Sequence, residues 1–262
     1  MNEWSIKRKR IIFSIVFFSL VVVVGLPILF LLYEKPTCTN FKQDGDETGI
    51  DCGGSCQLLC RAESLPLILR GDPRILTVSD NTYEVVALIE NPNNNGEIYR
   101  AGYTIRLYGA QSSIPLKVIE GETHVPKGIT FSIFEGPFNL EPGVVPSRAT
   151  FQWKEETLIW QKNTLLVPEI MVSDIIISRE DTSPRLDANI KNVTLETVSN
   201  IDLAALISDE TSSVFAASKT FIDVLPPGAT VPVVFTWPEA FERKAVNTNI
   251  IIRILPDKSF IR

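Results

Sequence analysis

The longest apolar stretch of the chain lies near its N-terminus and runs from Ile11 to Tyr33 without a charged residue. A helix of this length spans roughly 35 Å at about 1.5 Å per residue, which is enough for the ~30 Å hydrocarbon core of a bilayer. The pattern therefore predicts a transmembrane helix over residues 11–33. A cleaved signal peptide is the alternative interpretation, because it also joins a basic start to an apolar core.

Basic residues are concentrated at the N-terminal end of this stretch. Residues 7–10 have the sequence Lys-Arg-Lys-Arg, whereas Glu34 and Lys35 balance each other after it. Because positively charged flanks stay in the cytoplasm, residues 1–10 are expected inside and the chain from residue 34 onward outside. The sequence thus predicts a single-pass protein of the cell membrane, with a cytoplasmic N-terminus and extracytoplasmic C-terminal domains.

From about Leu65 onward, apolar runs are short and are separated by Pro, Gly, Asn and Asp, which is the pattern of an all-β region. A strand is predicted over Tyr83–Ile89, closed by a turn signal at residues 91–96. Apolar and polar residues alternate over residues 103–108, which indicates a strand with one buried face. Helical periodicity is nearly absent.

The second half of this β-rich region repeats the first. Residues 186–192 match residues 85–91 at an offset of 101 positions, and about 100 residues is the size of one immunoglobulin-like module. The predicted fold is therefore all-β after the helix, with two tandem immunoglobulin-like β-sandwiches over 65–165 and 166–262. The joint between them is expected near Leu165–Pro168.

All four cysteines of the chain lie in one window, predicted as a cysteine-rich stalk over residues 34–64. They are Cys38, Cys52, Cys56 and Cys60. An even number of clustered cysteines outside the membrane predicts two disulfides, and three pairings are open. A four-cysteine zinc site is the alternative, although such sites usually contain closer cysteine pairs.

Oxygen-bearing side chains alternate with glycines inside this window. Asp44, Asp46, Thr48 and Asp51 form the kind of ligand set that calcium accepts, although Ser55 stands where an EF-hand loop requires a bidentate glutamate. The alternative interpretation is a solvated acidic turn held by disulfides. No cofactor other than this calcium is predicted.

Two sets of resemblances extend these expectations. The string DGDETGIDCGGSC over residues 44–56, with its flanking cysteines, resembles a cysteine-rich motif of secreted and surface-anchored bacterial proteins, although the last spacing is C-x3-C rather than C-x2-C. Residues 85–116 resemble the opening of the water-stress-hypersensitivity, or group 2 late-embryogenesis-abundant, sandwich. The second module is similar to the F-x-L-Y-D sandwich domains of prokaryotic exported proteins. These resemblances imply a bacterial surface context and sandwich folds, with no catalytic residues.

Charge and chemistry narrow the possible functions. The chain has 25 basic and 31 acidic residues, of which four basic residues and one acidic residue lie in residues 1–33. The remaining residues therefore carry 21 basic and 30 acidic side chains. Such an acidic surface excludes nucleic acid as an expected partner.

The single histidine, His124, is expected at an ordinary surface or edge-strand position. Residues 192–194 form a formal glycosylation sequon. Trp153, Trp160 and Trp237 are predicted to pack in cores or between modules, with a carbohydrate-stacking face as the alternative.

The sequence therefore predicts a membrane-anchored, extracytoplasmic structural or binding protein that displays two β-sandwich modules. An envelope protein or a glycan is the expected kind of partner, and no enzymatic activity is expected, because no catalytic motif occurs. One alternative is a component of an envelope assembly or sensing complex, in which sheet edges pair with a partner strand. Another is a metal-dependent enzyme with its site between the modules.

Overall fold

The computed structural model describes residues 3–25, 27–28 and 36–256 of the chain. The chain divides into two compact units, Met1–Cys56 and Gln57–Arg262. Within the described residues, every strand belongs to the second unit. The strands pair antiparallel in several sheets, which confirms the prediction of a mostly β chain.

The prediction of a transmembrane helix over residues 11–33 is wrong. Among the described residues, no helix is long and apolar enough to cross a membrane. Helix α1 (Glu3–Leu20) begins before the apolar stretch and includes the four cations of residues 7–10, and a cation costs about 2.5–3.5 kcal/mol at the centre of a bilayer helix. A π-helical turn (Val21–Gly25) follows, while residues 26 and 29–33 lie outside the described residues. The predicted single-pass localisation is contradicted by this finding.

The second unit consists of short strands joined by turns and by two 3-10 turns, Arg61–Glu63 and Glu155–Thr157. In its described residues the strands are β1 (Ile68–Leu69), β2 (Arg74–Ser79), β3 (Thr82–Glu90), β4 (Gly96–Tyr108), β5 (Lys117–Val125), β6 (Thr130–Asn139), β7 (Arg148–Trp153), β8 (Gln161–Lys162), β9 (Ile170–Ser178), β10 (Arg185–Asn192), β11 (Val198–Ser208), β12 (Val214–Leu225), β13 (Thr230–Thr236) and β14 (Asn247–Ile254).

Strands β1 to β8 form what we call the first module, which contains two sheets. In one sheet β3 lies between β6 and the edge strands β1 and β2. In the other, β4 lies between β5 and the strands β7 and β8. Residues of both sheets share one core, so the sheets face each other as in a sandwich. The most deeply buried core residues include Val85, Ala87, Ile89, Ile98, Ile105, Leu107 and Phe131.

Strands β9 to β14 form the second module and repeat the pairing of β2 to β7. Strand β10 lies between β9 and β13, and β11 lies between β12 and β14. These two sheets also enclose a single core. Its most deeply buried residues include Leu186, Ile190, Ile201, Leu203, Ile207, Leu225 and Phe235.

Two buried asparagines hold corresponding turns in the two modules. Asn91 donates from Nδ2 to the carbonyl oxygens of Gly96 and Pro126, both at 2.8 Å. Asn192 donates in the same way to two carbonyl oxygens of the second module, and both asparagines are buried. Because the Asn192 amide is enclosed and hydrogen-bonded, the folded chain does not present the sequon of residues 192–194 for glycosylation.

The two modules pack against each other through a third apolar cluster. The outer face of the β2–β3–β6 sheet contributes Leu76 and Val86, and the outer face of the β12–β11–β14 sheet contributes Leu206, Ala217 and Ile251. All five side chains are at most 9% exposed. Burying a valine, leucine or isoleucine side chain contributes roughly 1.5–3 kcal/mol, and four of the five residues are of these types, so the interface holds the two modules together as one body.

The two inner sheets are therefore covered on both faces, and their central strands carry continuous apolar runs. Residues 85–89 of β3 have the sequence Val-Val-Ala-Leu-Ile, and residues 203–207 of β11 have the sequence Leu-Ala-Ala-Leu-Ile. A strand with one solvent face alternates between apolar and polar residues, whereas a strand covered on both faces does not. These runs are the sequence signal of the interface between the modules.

The carboxyl group of Glu84 lies beside this interface. Glu84 of β3 lines a polar groove of about 680 Å³ between the modules. Burial raises the pKa of Glu84 to about 7, although the ammonium group of Lys219 from the second module acts in the opposite direction. Lys219 Nζ also lies 5.2 Å from the ring centroid of Phe134. The folded chain therefore keeps a proton on Glu84 at pH values where the unfolded chain releases it.

We expect Glu84→Gln to stabilise the chain by about 1 kcal/mol at about pH 8 and to leave its stability near pH 4 unchanged. A raised carboxyl pKa costs stability as the pH rises from 4.5 to about 7, because the unfolded state ionises first. Because the Glu84 side chain is only partly buried, solvent screening makes the loss of stability smaller than the full pKa shift would give. Urea unfolding at both pH values measures the effect. Glu156→Gln, at an exposed site, is the control, and an equal effect of Glu84→Gln at both pH values would contradict the explanation.

Candidate functional site: the cleft between the modules

A mostly apolar cleft of about 510 Å³ lies between the modules. Small-ligand sites have volumes of this order and combine apolar walls with a few polar groups. Strands β4 and β5 supply the wall from the first module, and β11, β12 and β14 contribute to the wall from the second. The residues that line the cleft include Tyr99, Thr123, His124, Phe221, Arg253 and Leu255.

His124 and Glu97 form a buried pair in the first-module wall. Strands β4 and β5 pair at Ile98 and Val125, which brings the two side chains together. His124 Nε2 lies 3.2 Å from Oε2 of Glu97, and each side chain is 8% exposed. The Tyr99 ring stacks on the imidazole at a centroid distance of 5.9 Å. His124 thus lies on an edge strand, as predicted, but its side chain is buried rather than exposed.

The partners of Glu97 determine which imidazole nitrogen carries the proton. Burial would raise the pKa of Glu97, but hydrogen bonds from His124, Asn163 and Tyr99, together with the charge attraction of the His124 ring, hold it below its ordinary value. The carboxylate is therefore ionised and only accepts hydrogen bonds, so Nε2 of His124 carries the hydrogen. Nδ1 is buried and has no hydrogen-bond partner.

Arg253 of β14 connects the second-module wall to the first module. Its Nη2 donates to Oδ2 of Asp202 at 2.7 Å, and its Nη1 donates to Oγ1 of Thr123 at 2.8 Å. The guanidinium carbon lies 5.6 Å from the ring centroid of Phe131. Nε of Arg253 is buried and has no hydrogen-bond partner. The cleft therefore borders a second side chain with an unused polar atom.

Apolar side chains complete the second-module wall. Phe221 of β12 is 46% exposed, although aromatic side chains of its size are usually covered. Leu255 and Pro256 lie beside it along the cleft. The backbone of this segment is fixed, because Leu255 N donates to the carbonyl oxygen of Asn200 at 2.9 Å. An apolar group that enters the cleft would meet a preformed wall.

The predicted calcium ligands lie in the first unit, where each takes part in the hydrogen bonding of the loop. Both carboxylate oxygens of Asp51 accept backbone N–H groups at 2.9 Å. Oδ2 of Asp44 accepts from Asn40 at 2.7 Å, and Oδ1 of Asp46 accepts from Ser55 at 2.7 Å. The backbone N–H of Thr48 donates to the carbonyl oxygen of Cys52 at 3.2 Å.

Glu47 is the residue of this loop that the ligand pattern missed. Its Oε2 accepts the backbone N–H groups of Asp44 at 3.3 Å and of Asp51 at 3.2 Å. Its Oε1 lies 3.2 Å from Sγ of Cys56. One carboxylate therefore organises both ends of the acidic segment. The sequence offered no signal for this role, since Glu47 does not belong to the alternating set of donors.

The prediction of disulfides in this segment is confirmed. Cys38 and Cys56 are joined, with a separation of 5.6 Å between their Cα atoms. Cys52 and Cys60 are also disulfide-bonded, and none of the four cysteines is free. The zinc alternative is thereby wrong, because no thiolate remains to bind the metal.

The three tryptophans proposed as a carbohydrate-stacking face belong to two different cores. Trp153 and Trp160 pack in the first module, and Trp237 packs in the second. Trp153 contacts Phe151 edge-on at a centroid distance of 4.8 Å, and Trp237 contacts Phe241 at 5.1 Å. Core packing, the other predicted use, is observed.

No protein-family model matches the chain. No curated protein sequence matches it either. The resemblances drawn from the cysteine-rich motif and from the two sandwich modules therefore stay predictions.

Calcium binding by the acidic loop also stays a prediction. If it is right, titration of the full chain with calcium chloride should give a saturable heat with a Kd of about 10⁻⁴–10⁻³ M, the range of extracellular modules. Asp46→Asn should abolish the heat by removing a ligand, whereas Asp181→Asn, an exposed substitution in the second module, should not. A titration without saturable heat would show that the segment is an acidic turn.

Proposed function

We propose that the chain is a binding protein built from two immunoglobulin-like sandwiches, and that the cleft between them is where its partner binds. One observation carries this proposal: both modules supply walls of the cleft, so the binding surface exists only in the packed pair. The apolar interface keeps the walls in place. A preformed cleft requires little reorganisation on binding, and this favours affinity.

The immunoglobulin-like assignment is supported by the strand order of the modules. Each has two antiparallel sheets around one core, and the pairing of β2 to β7 recurs in β9 to β14. Immunoglobulin-like domains are antiparallel two-sheet sandwiches of about 100 residues. Such modules commonly serve as rigid supports for a binding surface, which agrees with a cleft at their junction.

We assign the polar groups of the cleft to ligand binding rather than to catalysis. The carboxylate of Glu97 is buried and accepts hydrogen bonds from its neighbours. The hydroxyl oxygen of Thr123 accepts from Arg253, which is itself paired with Asp202. These groups hold one another in position, an arrangement suited to a rigid wall.

Assembly through a sheet edge is the second candidate function. Strand β9 lies at the edge of its sheet. Its residues Met171, Ile175 and Ile176 are 50%, 42% and 60% exposed. An edge strand with exposed apolar side chains can pair with a strand of a partner protein. This candidate uses a different surface from the cleft, so the two are separable by mapping where a partner binds.

We expect small organic ligands to bind the full chain at the cleft. The test is a set of two-dimensional NMR spectra of the ¹⁵N-labelled chain with mixtures of small neutral amides, carboxylates and monosaccharides. The amide signals of Thr123, Phe221 and Leu255 should shift. Phe221→Ala should weaken binding about tenfold, since it removes an aromatic surface that the ligand would cover.

Val224→Ala is the matched control for this experiment. Val224 lies on the same strand as Phe221 and is 55% exposed, but it does not line the cleft. Its substitution should leave the affinity unchanged. Shifts confined to other surfaces, or no shifts with any mixture, would contradict the proposed function.

A further inference from the structure

We propose that the polar groove of about 680 Å³ binds an extended peptide segment of a partner protein, which pairs with the free edge of β7 as an added strand of the first module. The inference goes beyond the proposed function, because it concerns a second site and uses only the immunoglobulin-like strand order from that proposal. Three features support it: the strand order of the module, the sheet edges that line the groove, and the half-buried side chains on those edges.

The strand order of the first module leaves one position of an immunoglobulin-like sandwich open. Its sheets contain the orders β2-β3-β6 and β5-β4-β7, which correspond to strands A-B-E and C′-C-F of that sandwich, where a strand G lies beside strand F. Among the described residues, no strand pairs with β7 on the side away from β4. The chain after β7 forms β8, which pairs with β4 at Gly96 and Glu97 instead. Strand β7 therefore keeps a free edge.

Three sheet edges line the groove with consecutive residues. The segment entering and forming β2 contributes residues 72–78, the start of β7 with the residues before it contributes 145–150, and β12 contributes 213–218. All three are edge strands of their sheets. The free side of an edge strand presents a row of unpaired N–H and C=O groups. The groove therefore offers backbone donors and acceptors at the spacing of an extended chain.

The charged side chains of the groove do not favour a small ion over such a chain. Arg243 donates to Asp209 at 2.8 Å, and the Arg148 guanidinium stacks on Tyr108 at 4.0 Å from its ring centroid. The groove contains charges of both signs, whereas its backbone edges are continuous. The charged residues that line it are Asp72, Arg74, Glu84, Arg148, Glu239, Glu242 and Arg243.

Apolar side chains on these edges leave surface for a partner to cover. Ile75 of β2 and Phe151 of β7 pack against the core of the first module, yet both remain half-buried. Ile105 of the central strand β4 belongs to the same core and is completely buried. The six residues of β7 extend over about 20 Å at about 3.3 Å per residue. A partner segment of about the same length would pair with β7 and cover these side chains.

Four hexapeptides test the inference on the full chain. They have the sequence Ac-Thr-X-Thr-X-Thr-X-NH2, with X as Val, Phe, Lys or Glu. At least one of them should shift the amide signals of Arg148 and Thr150 in NMR spectra of the ¹⁵N-labelled chain. At saturation, amides of β7 should exchange at least about tenfold more slowly at alternate residues, because a strand partner pairs with every second residue.

An ester analogue separates strand pairing from binding through side chains. In this analogue, ester oxygens replace the interior N–H groups of the tightest-binding hexapeptide, and the side chains are unchanged. It should bind at least about tenfold more weakly, because it has lost the donors to the β7 edge. Phe221→Ala, a substitution in the cleft, is the control variant and should leave hexapeptide binding unchanged.

The outcomes are separate from those for the proposed function. Strand pairing at β7 is overturned if no hexapeptide shifts the groove signals, if the ester analogue binds as tightly as its parent, or if the shifts lie at Thr123 and Leu255 of the cleft. Protection of the β7 edge that grows with the concentration of the chain alone would assign the edge to a second copy and would also overturn the proposal. Ligand binding in the cleft is decided by its own small-molecule titrations.

Discussion

The structure depends on one apolar contact, the packing of the β2–β3–β6 sheet against the β12–β11–β14 sheet. Leu76 and Val86 on one side meet Leu206, Ala217 and Ile251 on the other. Two sandwiches joined by a short linker would otherwise be free to reorient, since domain motion is the default where an interface is small and polar. Here the interface is apolar and buried, so the second unit folds as a stack of four sheets.

The polar groups beside this contact acquire their properties from it. Glu84 lines the groove between the modules, where burial raises its pKa, and Arg253 reaches Thr123 only because the modules are in contact. The cleft is a consequence of the same packing, since its walls come from different modules. The cysteine-rich loop is organised by its disulfides and by the carboxylate of Glu47.

Local patterns in the sequence predicted the strands well, and long-range contacts less well. The strand over Tyr83–Ile89 follows from a continuous apolar run closed by a turn signal, and the strand over residues 103–108 follows from two-residue alternation. Both signals need only neighbouring residues. The Glu97–His124 pair depends on the register between β4 and β5, which periodicity does not reveal. The pairing of the cysteines was open for the same reason. The apolar run beginning at Ile11 misplaces the helix, because the helix also includes the cations that precede the run.

Hydrogen exchange of the Leu206→Ala variant tests the account most directly, because Leu206 belongs to the second module but packs against the first. If the two modules form one body, the most protected amides of both cores, including Ile105 and Ile190, lose the same stability, about 2–4 kcal/mol for a buried leucine. Loss of protection in the second module alone would show that the modules unfold separately. It would contradict the claim that they form one body.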